Sequence, residues 1–98
     1  MNVIVDVCVV PVNAGASLSP YVAACEKVIE EFNLSHTLHA NGTNVEGEWD
    51  EVFAAIKKCH ETVHAMGVTR LFTTIKLGTR LDKDQTMLDK IKSVQEKL

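Results

Sequence analysis

The stretch LHANGTNVEGEWDEV, from Leu38 to Val52, predicts a β-hairpin that is followed directly by a helix. Asn41 and Gly42 form a turn signal between an alternating strand and a short returning strand. Gly47 breaks the second strand, and the acidic residues after it suit the electropositive amino terminus of a helix. The polar hairpin beside Trp49 fits a small, flat, polar ligand. A tight turn and a helix that buries its first aromatic residue explain the same pattern.

A strand and a helix are predicted before the hairpin. Residues 3–12 are mostly β-branched, which is typical of a strand that is buried on both faces or nearly so. Ser19 and Pro20 predict a helix start with a hydroxyl cap and a proline at the first helical position. Apolar residues then recur at helical spacing, which predicts a first helix that runs to about Asn33.

A helix, a strand and another helix are predicted after the hairpin. Apolar spacing from Trp49 to Val63 predicts the second helix, which Gly67 is well placed to end. Residues 68–77 alternate as a fourth strand, and residues 87–98 show helical spacing. The order predicts an α+β fold, a ferredoxin-like βαββαβ sandwich with an additional C-terminal helix, as a single domain over residues 1–98.

One face of this predicted sheet lacks helices, because right-handed crossovers place both helices on the same side. Alternation on the first strand turns four side chains to the uncovered side: Ile4, Asp6, Cys8 and Val10. On the last strand the matching set is Phe72, Thr74 and Lys76. Water tolerates such a partly apolar face poorly. We therefore expect a homodimer or homotetramer in which a second copy covers this face and encloses a ligand pocket.

Composition limits the classes of partner. The chain has 98 residues, with 10 Lys and Arg against 13 Asp and Glu, and the absence of a basic cluster argues against nucleic acid. The longest apolar stretch falls far short of the roughly 20 residues that cross a bilayer. The start lacks the cationic region of a signal peptide, so we expect a cytoplasmic protein with no membrane contact. Cys8, Cys25 and Cys59 suit reduced packing thiols.

The segment from His60 to His64 matches the HExxH signature of zinc proteases, with Glu61 as the base. No histidine follows His64, so a third metal ligand would have to be an acid in the C-terminal segment. Little chain remains there to build a substrate cleft. We predict no metal and no catalytic residue, and keep a small zinc-dependent hydrolase as an alternative.

Asp6 is the anomalous residue of the first strand, because a buried carboxylate needs a partner. An ion pair with Lys76 at a dimer interface would supply one. Alternatively, Asp6 faces a pocket and binds a cationic or amino-bearing ligand. Alternation places Thr37, His39 and Thr74 on the same face, either as pocket walls or as groups that satisfy one another across strands.

Three segments, VDVCVVPV, HANGTNVEGEWDEVFAAIKKCHE and TTIKLGTRLDK, resemble a family of small thiamine-binding proteins. The resemblance implies ferredoxin-like domains that pair through their sheets and often form tetramers. It also implies binding of thiamine or its hydroxymethylpyrimidine portion, without catalysis, and we predict no cofactor. By the same resemblance, Thr43, Glu46 and Trp49 stand at the pocket rim.

The sequence therefore predicts a non-enzymatic cytosolic binding protein for thiamine or a hydroxymethylpyrimidine-type ligand, acting as a homo-oligomer. The predicted ligand-binding residues are Asp6, Thr37, His39, Thr43, Glu46, Trp49 and Thr74. Besides the hydrolase, the alternative is a purely structural or regulatory oligomer whose polar sheet face serves only as an interface.

Overall fold

The computed structural model describes all 98 residues. It contains four strands and three helices, in this order: β1 (Asn2–Pro11), α1 (Ser19–Glu31), β2 (Ser35–His39), β3 (Gly42–Glu48), α2 (Trp49–Ala65), β4 (Leu71–Thr79) and α3 (Met87–Gln95). The strands form one antiparallel sheet in the order β2-β3-β1-β4. This architecture confirms the predicted ferredoxin-like sandwich and its additional C-terminal helix.

The hydrophobic core lies between one face of the sheet and helices α1 and α2. It includes alternate residues of β1 and the inward faces of the helices: Val3, Val5, Val7, Val28, Ile29, Val52, Ala55 and Ile56. The intervening residues of β1 are only half-buried. Within one protomer β1 is therefore buried on a single face, and not on both as its β-branched run predicts.

Strand β4 differs from the predicted residues 68–77 at both ends. It begins at Leu71 and continues through Gly78 to Thr79. Its partner explains the extension, because β1 begins at Asn2 and its Val3 pairs with Thr79. Val68 is buried ahead of the strand, and its carbonyl oxygen accepts a hydrogen bond from Nδ1 of His64 at 2.7 Å.

The helix starts show one wrong prediction and one confirmed prediction. Ser19 does not cap α1, because Leu18 is the N-cap residue and no side chain caps this helix. Leu18 already has α-helical φ and ψ angles, so the first turn begins one residue earlier than expected. At α2, the Glu48 carboxylate accepts from the amide of Asp50 at 2.7 Å, which agrees with the acidic residues expected there.

Helix α3 starts against the sheet and then leaves much of its surface exposed. Met87 at its first turn is buried, whereas Leu88 and Ile91 are exposed. Thr86 and Asp89 form a capping box at its amino terminus. As for the other helices, its length and composition are insufficient for crossing a membrane.

Candidate functional site

The predicted ligand-binding residues fall on two sides of the sheet. The open face is the sheet surface turned away from α1 and α2. Asp6 on β1 pairs with Asn44 on β3 and Lys76 on β4, and the residues that share its face include Thr37, His39, Glu46 and Thr74. This grouping follows the predicted alternation. Thr43 differs by one step in β3, so it belongs to the helix side of the sheet.

The side chains of Asp6 and His39 lie within ion-pair distance of each other on the open face. Nε2 of His39 donates to Oδ1 of Asp6 at 2.7 Å, and the side chains are 35% and 32% exposed. Their strands are not neighbours, since β3 lies between them. His39 reaches across β3 at Gly42, where an added Cβ atom would lie 2.9 Å from the Val7 carbonyl oxygen and 3.0 Å from Asp6 Oδ1. Within the protomer, the partner of Asp6 is thus His39 and not Lys76.

Glu46 also lies on the open face, where it holds the start of α3. Its Oε2 accepts a hydrogen bond from the backbone amide of Met87 at 2.9 Å. Beside it lies the open-face groove, of about 740 Å³, between the sheet and the segment after β4. The charged and polar residues that line this groove include Asp6, Asn44, Glu46, Lys76, Arg80, Lys83, Asp84 and Lys90.

A second space, the helix-side cleft, lies on the other side of the sheet. Its volume is about 940 Å³, within the range of small-molecule sites. It is bounded by α1, the β2-β3 hairpin and the loop before α1, and its floor reaches the core. Most of its lining is apolar, including Val7, Val9, Val22, Ile29, Leu38 and Val45. Thr43 and Glu26 are among its few polar groups.

Glu26 and Thr43 are hydrogen-bonded inside this cleft. The Thr43 hydroxyl donates to Oε1 of Glu26 at 3.1 Å. Oε2 of Glu26 is buried and has no hydrogen-bond partner, an arrangement that costs about 1–3 kcal/mol when nothing compensates it. Sequence reasoning missed Glu26. The available signal was an acid within the apolar stripe of α1, next to Cys25 and one turn before Ile29 and Glu30.

Trp49 lines neither the open-face groove nor the helix-side cleft. It is the first residue of α2, and its ring lies 4.9 Å from that of Phe53 between centroids. Both rings pack against the core. The structure therefore separates Trp49 from the polar residues that the sequence grouped with it.

Cys25 and Cys59 contact each other at the floor of the helix-side cleft. The Cys59 thiol donates to the carbonyl oxygen of Cys25 at 3.7 Å, and all three cysteines are free. The two thiols also interact with each other, and this side-chain hydrogen bond from Cys59 lowers the pKa of Cys25 below its ordinary value. The same hydrogen bond, together with burial, raises the pKa of Cys59.

The HExxH-like segment is part of α2, and its histidines have partners inside the protein. Nε2 of His60 lies 2.6 Å from the Thr73 hydroxyl, and Nδ1 of His64 donates to the Val68 carbonyl. No group of three or more His, Cys, Asp or Glu side chains is arranged to hold a metal ion. The geometry gives no support to a zinc centre at His60, Glu61 and His64.

The fold and the helix-side cleft together define a small α+β domain with a largely apolar cleft whose volume is in the range of small-molecule sites. Residues 5–95 match the family described as thiamine-binding protein, and the chain belongs to this family.

The chain is also similar in sequence or in fold to the following proteins. The chain is 60% identical to the UPF0045 protein sll0230 of Synechocystis, over 97% of this chain and 78% of that protein. The crystal structure of the hypothetical protein MJ1052 of Methanocaldococcus jannaschii superposes with a TM-score of 0.89 at 35% identity, covering 97% of each chain. TM0486 of Thermotoga maritima, provisionally assigned to thiamine biosynthesis or salvage, shares the fold with a TM-score of 0.82 at 18% identity, over 96% of this chain and 99% of that one.

Proposed function

We propose that the protein is a non-enzymatic cytosolic binding protein that takes thiamine or a hydroxymethylpyrimidine-type ligand into the helix-side cleft, and that it acts as a homo-oligomer. The observation that carries the proposal is the hydrogen-bonded Glu26 and Thr43 pair within an otherwise apolar cleft of about 940 Å³. Membership of the thiamine-binding family supports the same class of ligand.

The chemistry of the cleft suits this ligand. Thiamine combines a flat aminopyrimidine ring with a cationic thiazolium ring, so it needs apolar walls and a few hydrogen-bond acceptors. Apolar side chains of β1 and α1 supply the walls, and the Glu26 carboxylate supplies an acceptor. The cleft is formed within one protomer. The proposed pocket therefore does not require the paired sheets that the sequence suggested as its walls.

The other predicted site residues take different parts in this proposal. Thr43 lies in the cleft, and His39 of the hairpin also lines it, although the His39 imidazole is bonded to Asp6 on the open face. Glu46 positions α3 through the amide of Met87. Thr37 and Thr74 lie on the open face, where we propose that they contact a second copy of the chain.

Isothermal titration calorimetry with thiamine and hydroxymethylpyrimidine tests the proposal. Thr43→Val keeps the side-chain shape but removes the hydroxyl that orients Glu26, so it weakens binding about tenfold, equivalent to roughly 1.4 kcal/mol. Thr37→Val is the matched control on the open face, and its affinity should equal that of the natural protein.

Two outcomes would count against this assignment. If the natural protein gives neither heat nor a thermal shift at millimolar ligand, the binding function is wrong, and a purely structural oligomer becomes the better account. If Thr37→Val weakens binding and Thr43→Val does not, the ligand lies on the open face.

The homo-oligomer rests on apolar surface that one protomer leaves uncovered. Phe72 on the open face is 69% exposed, and Leu88 of α3 is 74% exposed. Ile91 and Val94 extend the exposed apolar side of α3. A second copy would bury these groups, which water alone accommodates poorly.

A further inference from the structure

We propose that Glu26 is a specificity-determining residue, which selects ligands that present an exocyclic amino group and rejects analogues that carry an oxo group instead. This inference rests on the proposed pyrimidine-binding function and adds the edge of the ligand that the cleft reads. It starts from the unequal surroundings of the two carboxylate oxygens. Oε1 accepts from the Thr43 hydroxyl at 3.1 Å, whereas Oε2 is buried without a partner.

The protein itself offers no cation to Oε2. No lysine or arginine lines the helix-side cleft. Its single basic residue is His39, whose Nε2 is already bonded to Asp6 at 2.7 Å. Cys59 directs its thiol to the carbonyl oxygen of Cys25 and not to the carboxylate. A buried acceptor of this kind is stabilised when a ligand supplies the missing donor.

An ionised carboxylate accepts hydrogen bonds and cannot donate them. An amino group on a flat ring therefore matches Oε2, because it brings N–H donors into the cleft. A carbonyl oxygen at the same ring position brings lone pairs against lone pairs and leaves Oε2 unsatisfied. Sites built to bond an N–H group discriminate strongly against analogues that lack it. We expect the dissociation constant of the amino ligand to be lower than that of its oxo analogue by about tenfold or more.

Glutamine at position 26 should reverse the preference. In Glu26→Gln the amide oxygen can still accept from Thr43, which leaves the amide N–H₂ group in the place of Oε2. That group donates to a carbonyl and has no acceptor in an amino group bound to a ring. Because the side chain keeps its size, the apolar walls stay unchanged. The oxo analogue should then bind at least as tightly as the amino ligand.

The experiment is a calorimetric titration of the natural protein and of Glu26→Gln, each with hydroxymethyl aminopyrimidine and with its oxo analogue. The proposal expects a preference for the amino ligand in the natural protein and a lost or reversed preference in Glu26→Gln. Glu30→Gln is the matched control, since Glu30 lies one turn further along α1 and is exposed. It makes the same change of charge and should keep the natural preference.

The outcomes separate the two proposals. If the natural protein binds both pyrimidines with equal affinity, the role of Glu26 is overturned while the binding function stands. The same holds if Glu26→Gln keeps the natural preference. If neither pyrimidine binds, both proposals are overturned. Should Glu26→Gln fail to fold, the ratio of the two affinities in the natural protein still decides, because equal values contradict the proposal.

Discussion

Gly42 explains how two residues on strands that are not neighbours come to share a hydrogen bond. His39 lies on β2 and Asp6 on β1, and the intervening β3 presents no side chain at Gly42. A Cβ atom there would meet both the Val7 carbonyl and the Asp6 carboxylate. The sequence identified the Asn-Gly turn and placed Asp6 and His39 on one face. It could not predict their contact, because alternation gives the side of a strand and not the reach across a neighbour.

Strand alternation also predicts the side of the sheet on which Thr43 lies, although the family resemblance grouped Thr43 with Glu46. Thr43 and Glu46 are three residues apart on β3, so their side chains point to opposite sides of the sheet. Grouping them at one pocket rim is therefore incompatible with a regular strand. Glu26 was harder to find, because its importance depends on a buried oxygen without a partner, which only the packing of α1 against the hairpin shows.

The pH dependence of alkylation tests the contact between Cys25 and Cys59. The Cys59 thiol lowers the pKa of Cys25 below 9.0, so the thiolate of Cys25 forms at lower pH than that of an ordinary cysteine. In a Cys8→Ser background, the rate of reaction with iodoacetamide should therefore have its inflection below 9.0. Removing the donor in Cys59→Ala should move the inflection to higher pH. An inflection that stays in place would contradict the hydrogen bond.

At the scale of elements, most strands and helices could be predicted because their periodicity is local. One exception depends on a partner that is distant in the sequence, and another on the local backbone conformation. Strand β4 continues through Gly78 because β1 pairs with it as far as Thr79. Helix α1 begins with Leu18 as its cap because that backbone already adopts the helical conformation. Neither effect can be predicted from the residues of the element itself.

The amino terminus of helix α3 is held by the rest of the protomer, whereas much of the helix is not. Glu46 and the capping box fix its start, whereas Leu88, Ile91 and Val94 remain exposed along it. A short helix with an uncovered apolar side gains little stability from the rest of its own protomer. We therefore propose that its outer surface, together with the open face, contacts other copies of the chain.

At the scale of the whole molecule, the sheet separates two surfaces with different proposed roles. We propose that the helix-side cleft binds the ligand and that the open face binds another copy. A charged residue at position 72 should weaken contacts between copies without affecting ligand binding, because Phe72 lies on the open face and is 69% exposed. Phe72→Glu should therefore shift the protein towards the protomer in sedimentation velocity and leave ligand affinity unchanged.

Ala54→Glu is the control for this experiment, because it places the same charge on an exposed position of α2. It should sediment like the natural protein. A natural protein that sediments as a lone protomer would contradict the homo-oligomer. Loss of ligand binding in Phe72→Glu, with the fold intact, would instead mean that the site needs a second copy.

Amide chemical-shift mapping by NMR during a thiamine titration shows whether the ligand enters the helix-side cleft. We expect the largest shifts around Glu26 on α1 and from His39 to Thr43 in the hairpin, with small changes after β4. Largest shifts from Lys76 to Lys90, with α1 unaffected, would place the ligand in the open-face groove and contradict binding in the helix-side cleft.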